Sequence, residues 1–232
     1  GTAKAADLKV YSPIVEEGEY AIEVRGNVTH DNNPAKDGTY TQVTEFEITP
    51  TSYWHTAIFG EMKKEPFGSL QYKATGWENI FQLTPQGKYW ADLGFYAEYE
   101  WGQKGGAADE VEWKILAQKN VGRMSFIINP IFETKVGGNR SGGVEFKYAA
   151  QAKWRYMPQI EPAIELYGEF GDIGHFGQWR DQRHQIGPVI LGKFNMADIG
   201  ALKYELGYLF GVTKRGSPDG AFKFSLEWER HF

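Results

Sequence analysis

The sequence predicts an all-β chain, folded as an antiparallel up-and-down transmembrane β-barrel of about twelve strands. Three observations lead there. Apolar and polar residues alternate along almost the whole chain, and a strand sends such residues to opposite faces. Many runs reach about 9–13 residues, whereas soluble strands average about 5–6 and membrane-crossing strands need about 9–11. The apolar faces carry almost no charge, and rings gather near the strand ends: Tyr89, Tyr99, Trp101, Trp154, Tyr156 and Trp228. Such rings suit a headgroup belt, wet on one side and apolar on the other.

The elements follow in chain order. Residues 1–18 precede the first strand and are expected to trail into the periplasm or to plug the barrel; residues 19–232 form the barrel. Residues 20–28 alternate cleanly. Residues 40–49 mix Gln42 and Thr44 into the apolar face. A third run lies between the turn signals at 50–52 and 65–68. Residues 70–83 change parity near Gly76 and Trp77, which signals a bulge. Residues 89–101 are the clearest strand, with Leu93, Phe95, Ala97 and Tyr99 opposing Asp92, Tyr96, Glu98 and Glu100. Residues 110–117 and 186–194 alternate less cleanly than 124–134, 144–156, 164–170 and 202–212. The last run, 220–232, ends on Phe232. Gly, Pro and Asn clusters separate the runs, and no helix or linker is visible.

Composition narrows the function. Apolar residues make up 41% and charged residues 24%, too apolar for disorder. There is no Cys, which excludes a disulfide framework, a thiolate metal site and a cysteine nucleophile. The net charge is -5 and no basic block stands out, so no nucleic-acid partner is expected. No apolar run approaches the roughly 18 residues of a spanning helix. Residues 1–6 lack the apolar core of a signal peptide and read as a mature or trimmed end.

The tail carries a resemblance. Phe222, Phe224, Leu226, Trp228 and Phe232 resemble the C-terminal signature of bacterial outer-membrane β-barrels, a final amphipathic strand ending on Phe. The resemblance implies a Gram-negative outer-membrane location, contact with outer-membrane lipid, closure of the last strand on the first, and recognition of that strand by the barrel-assembly machinery. A second, local resemblance covers residues 78–84 and 89–94. These resemble stretches of uncharacterised proteobacterial outer-membrane proteins, including putative channels of aromatic-degradation operons. No site residue is carried over from it.

With an even strand count both termini are expected in the periplasm, and the loops after odd-numbered strands outside. The polar faces then line a lumen. Candidate pore-lining residues are Arg25, Trp90, Asp92, Tyr96, Glu98, Glu112, Lys114, Lys147, Lys153, Arg155, Glu165, Glu169, Lys203, Glu205, Glu227 and Glu229. The expected function is a channel that passively passes small polar or amphipathic solutes, without a cofactor, resident metal or catalytic residue. Hairpin arithmetic sets Lys153 opposite Glu165 if the turn centres on Gln159, and Lys203 opposite Glu229 if it centres on Gly216. A turn centred on Gly105 sets Glu98 against Glu112 and Glu100 against Glu110, a like-charge row that a hard cation or a basic neighbour would relieve. Two alternatives stay open. One is an outer-membrane hydrolase using Asp172, His175, Asp181 and His184. The other is a structural or adhesive barrel without an open pore.

Overall fold

The computed structural model describes residues 8–102, 108–138, 140 and 142–232. The strands are β1 (Glu19–His30), β2 (Tyr40–Thr51), β3 (Trp54–Lys64), β4 (Gln71–Gln82), β5 (Asp92–Gly102), β6 (Asp109–Val121), β7 (Met124–Val136), β8 (Val144–Trp154), β9 (Glu161–Asp172), β10 (Arg183–Asn195), β11 (Ala201–Gly211) and β12 (Gly220–His231). Each pairs antiparallel with its neighbours in sequence, and β1 pairs with β12 from Glu19↔His231 to His30↔Gly220. The sheet is closed, so no strand edge is left unpaired. The sequence expectation of an up-and-down twelve-stranded barrel holds.

Strands of 11–13 residues, rising about 3.3 Å per residue and tilted by roughly 40°, reach about 30 Å along the barrel axis, the thickness of a bilayer core. Burial is inverted relative to a soluble protein. Phe46, Ile58 and Phe210 face outward and are 60%, 59% and 54% exposed, while Glu45, Glu78 and Glu165 are fully buried. The outer wall also carries a ring ladder across four strands. Trp113, Phe132, Phe146 and Phe170 follow one another at centroid distances of 5.8, 5.3 and 5.4 Å.

The parity change in β4 is real, but its bulge lies earlier than the sequence suggests. Glu61 pairs with Ala74 and Met62 with Tyr72, so Lys73 is the extra residue. Tyr72 and Trp77 thereby reach the same outer wall, and Gly76 and Glu78 turn inward. Gly76 sits under the Phe59 ring, and any Cβ there would overlap it. Residues 103–107 of the β5–β6 connection lie outside the described residues.

Gly18, just before β1, and Phe232, just after β12, meet at one rim. The Phe232 amide donates to the Gly18 carbonyl at 3.0 Å, and the Gly18 amide to Thr49 O at 2.9 Å. Connections at that rim are tight after β2 and β6, while the β4–β5 connection is long, spanning residues 83–91.

Candidate functional site

Residues 8–15 lie inside the barrel, in contact with inward-facing residues from most of its strands, and residues 16–18 stand at its rim. Leu8 belongs to a buried apolar cluster with Ile131, Ala149, Tyr167, Val189 and Leu209. Tyr11 packs against Ile80, Tyr96 and Leu116. The Tyr11 amide donates to Asn129 Oδ1 at 2.8 Å, and Asn129 Nδ2 donates back to Tyr11 O at 2.9 Å. The Tyr11 hydroxyl donates to Glu78 Oε2 at 3.1 Å, and Lys114 Nζ lies 4.0 Å from the Tyr11 and Tyr96 ring centres. Ser12 Oγ donates to Gln118 Oε1 at 2.9 Å, and the Val15 amide to Gln82 Oε1 at 3.0 Å. Pro13 passes so close to Gly94 that a Cβ there would stand 2.9 Å from the proline Cβ. A glycine is required at this crossing.

Lys9 Nζ is 2.6 Å from Glu23 Oε2 and 3.6 Å from Glu45 Oε1. Burial opposes its charge, yet Glu23 and Glu45 prevail and hold the amine well above the ordinary lysine range.

The inner wall is built from ion pairs. Arg25 contacts Glu23 at 2.9 Å and also Glu45. Lys223 on β12 reaches Glu165 on β9 at 2.6 Å, contacts Glu205, and donates to the Tyr167 hydroxyl at 2.9 Å. Lys203 contacts Glu227 at 2.9 Å and also Glu229. Lys147 meets Glu133 at 2.6 Å, Lys153 meets Glu161 at 2.7 Å, and Lys114 meets Glu112 at 3.0 Å. Buried charge survives only when paired in this way.

Space remains beside the N-terminal segment. A cavity of about 370 Å³ runs along it, bordered by Lys9, Asn27, Lys153, Lys193, Lys203 and Glu227. A second, of about 50 Å³, is bordered by Glu98, Glu100, Lys114, Glu133, Lys147 and Arg183. Leu8, Arg25, Val43 and Glu61 border both and stand between them.

Most of the residues singled out from sequence turn into this lumen: Arg25, Asp92, Tyr96, Glu98, Glu112, Lys114, Lys147, Lys153, Glu165, Glu169, Lys203, Glu205, Glu227 and Glu229. Two do not. Trp90 precedes β5 and is 81% exposed. Arg155 lies past the end of β8, exposed, and its guanidinium donates to the Gly122 carbonyl. In both places the alternation was read past the end of the strand.

Glu98 does pair with Glu112, and Glu100 with Glu110. Glu98 accepts from the Tyr96 hydroxyl and Glu112 from Lys114, so polar neighbours serve that row. The other hairpins centre one residue earlier than expected. Gln151 pairs with Glu165, Lys153 with Ala163, and Lys203 with Glu227. Moving a turn centre by one moves each partner by two, which changes the partner and keeps the face.

Asp172, Asp181 and His184 of the hydrolase alternative each have other side-chain or backbone partners, and the His175 amide donates to the Asp172 carbonyl at 3.0 Å. Asp172 accepts from the Gly174 amide at 2.7 Å, and Asp181 pairs with Arg215 at 3.3 Å. His184 stacks on Trp179 at 4.3 Å, with Nδ1 3.2 Å from the Tyr148 hydroxyl and Nε2 2.9 Å from Gln182 Oε1. Among the described residues, no ion pair joins either aspartate to His175 or His184.

Tyr11, His55, Glu78 and Asn129 were missed by sequence reasoning. Asn129 did leave a signal, as a lone polar residue within Ile127-Ile128-Asn129-Pro130-Ile131.

An outward apolar wall around an ionised interior decides the setting. The architecture is that of a transmembrane β-barrel. No family model matches the sequence, and no curated protein matches it. Among solved structures, the barrel is similar to the outer membrane protein Omp33 of Acinetobacter baumannii, at 9% identity over 93% of this chain and 99% of that one, with a TM-score of 0.49. It is also similar to a bacterial polysaccharide outer membrane secretin, at 8% identity over 94% and 100%, with a TM-score of 0.41. A loop-deleted OmpT, an outer membrane protein of Vibrio cholerae, aligns at 8% identity over 92% and 100%, with a TM-score of 0.35. Values this low carry no argument about activity.

Proposed function

We propose that the protein is an outer-membrane channel that passively passes small polar or amphipathic solutes, with its N-terminal segment narrowing the lumen as a plug. The observation that carries this reading is the pair of charge-lined cavities inside the barrel, one along the N-terminal segment and one beyond Leu8, with Leu8, Arg25, Val43 and Glu61 between them. A passage lined by both signs of charge favours polar solutes of small radius over any one ion type. The rim that holds Gly18 and Phe232 is the proposed periplasmic side, and the proposed partner of β12 and its terminal Phe232 is the barrel-assembly machinery.

The buried seat of Tyr11 favours a second reading, a barrel kept closed. Planar-bilayer recording separates the two. The channel reading expects small unitary steps from the wild type and larger ones from Tyr11→Ala, which loosens the segment and empties part of the lumen. Silence from both proteins, each shown to be inserted, would leave the closed barrel.

A further inference from the structure

We propose that Glu45, His55 and Glu78 form a binding site for one divalent transition-metal ion on the inner wall of the barrel. The inference does not depend on whether the barrel conducts.

The three residues come from the adjacent strands β2, β3 and β4. One potential ligand atom from each lies within 4.8 Å of the other two, and all three side chains are buried. Ala57 sits between them in the sheet, opposite Glu47 on one side and Glu78 on the other. Its methyl leaves a hollow over which the longer side chains converge.

A second, independent observation concerns the atoms left over. Glu45 Oε2 accepts from Arg25, while Glu45 Oε1 is buried with no hydrogen bond. Glu78 Oε2 accepts from the Tyr11 and Tyr96 hydroxyls, while Glu78 Oε1 is likewise buried with no hydrogen bond. His55 Nδ1 lies 3.1 Å from the Thr49 hydroxyl. When Nδ1–H donates there, Nε2 turns its lone pair toward Glu47 Oε2, 3.5 Å away, the way a metal-bound imidazole is oriented by its other nitrogen. Each ligand is therefore held by one atom and offers another, Glu45 Oε1 with Lys9 Nζ at 3.6 Å, His55 Nε2 with Glu47 Oε2 at 3.5 Å and Glu78 Oε1 without a hydrogen bond.

Charge points the same way. Glu23, Glu45, Glu47 and Glu78 outnumber Lys9 and Arg25 here, and a divalent cation offsets the excess. One imidazole and two carboxylates without thiolate suit Zn²⁺ or Mn²⁺, and three protein ligands leave a position for water. Ca²⁺ requires more oxygens than this site offers. Among the described residues, the other acidic groupings either lack a nitrogen or, as with Glu16, Glu19 and His231, stand partly exposed at the rim.

The site touches the N-terminal segment twice, through Tyr11 on Glu78 and through Lys9 Nζ at 3.6 Å from Glu45 Oε1. The ion and the Lys9 ammonium compete for Glu45.

The test is calorimetric titration of the detergent-solubilised full chain with Zn²⁺ after chelation. One ion per chain is expected. His55→Ala and Glu78→Gln are each expected to weaken binding about 10–100-fold, and Lys9→Met to strengthen it. Heat-dependent gel mobility confirms that each variant is folded, and His55→Gln replaces any that is not. Absence of Zn²⁺ binding by the wild type overturns the proposal. So does binding that survives unchanged in folded His55→Ala, or that disappears in His231→Ala instead, which would place the ion at the rim.

Discussion

Asn129 shows what one inward residue does in this barrel. It makes paired hydrogen bonds with the Tyr11 backbone and is fully buried. Asn129→Ala leaves two buried backbone groups unsatisfied, at about 1–3 kcal/mol each, unless the segment withdraws. Withdrawal is the expected outcome, read as faster proteolysis near Lys9 in a barrel that still migrates as folded. Lys223 tests the wall itself. Its ammonium separates Glu165 from Glu205, so Lys223→Met leaves buried acids without their cation. A loss of about 3–5 kcal/mol is expected in urea unfolding from lipid. At this scale the sequence told which residues face inward wherever alternation was clean, as at Glu98 and Glu112. It could not place Tyr11, because residues 8–18 carry no strand period and their contacts lie far away in the chain. Glu78 was hidden by the parity change, and His55 lay in a run bounded by turn signals without a face assigned.

Elements were legible to within their ends. Glu161 begins β9 and Lys119 stays within β6, although the apolar alternation has faded there. Strand ends sit at the water-facing rims, where polar residues are at ease and backbone pairing continues without the pattern. Turn centres were harder still, since a shift of one residue leaves every face unchanged. The bulge at Lys73 hid in the same way, because either location restores the same parity downstream. The outer wall of each element should follow bilayer depth. Leu206 lies mid-strand in β11 on that wall. Leu206→Arg is expected to destabilise the barrel by about 2–4 kcal/mol in lipid vesicles. The same change at Phe232, at the rim, should cost about 1 kcal/mol or less by the same unfolding measurement.

For the molecule as a whole, closure between β1 and β12 makes the wall independent of what fills it. None of the twelve strand pairings uses residues 8–18. Deleting residues 1–16 should therefore leave a folded, heat-shifting barrel with larger conductance steps than the full chain. Failure of that variant to fold would make the segment part of the wall's stability. The segment's attachment has a further consequence. Gly18 is bonded to both Thr49 and Phe232, so residues 8–17 hang from a fixed point at the mouth. Ten residues reach at most about 33–36 Å. A dislodged segment thus stays tethered at millimolar local concentration, as short flexible linkers do. Re-insertion would be unimolecular, indifferent to dilution, and each barrel would reclose on its own clock.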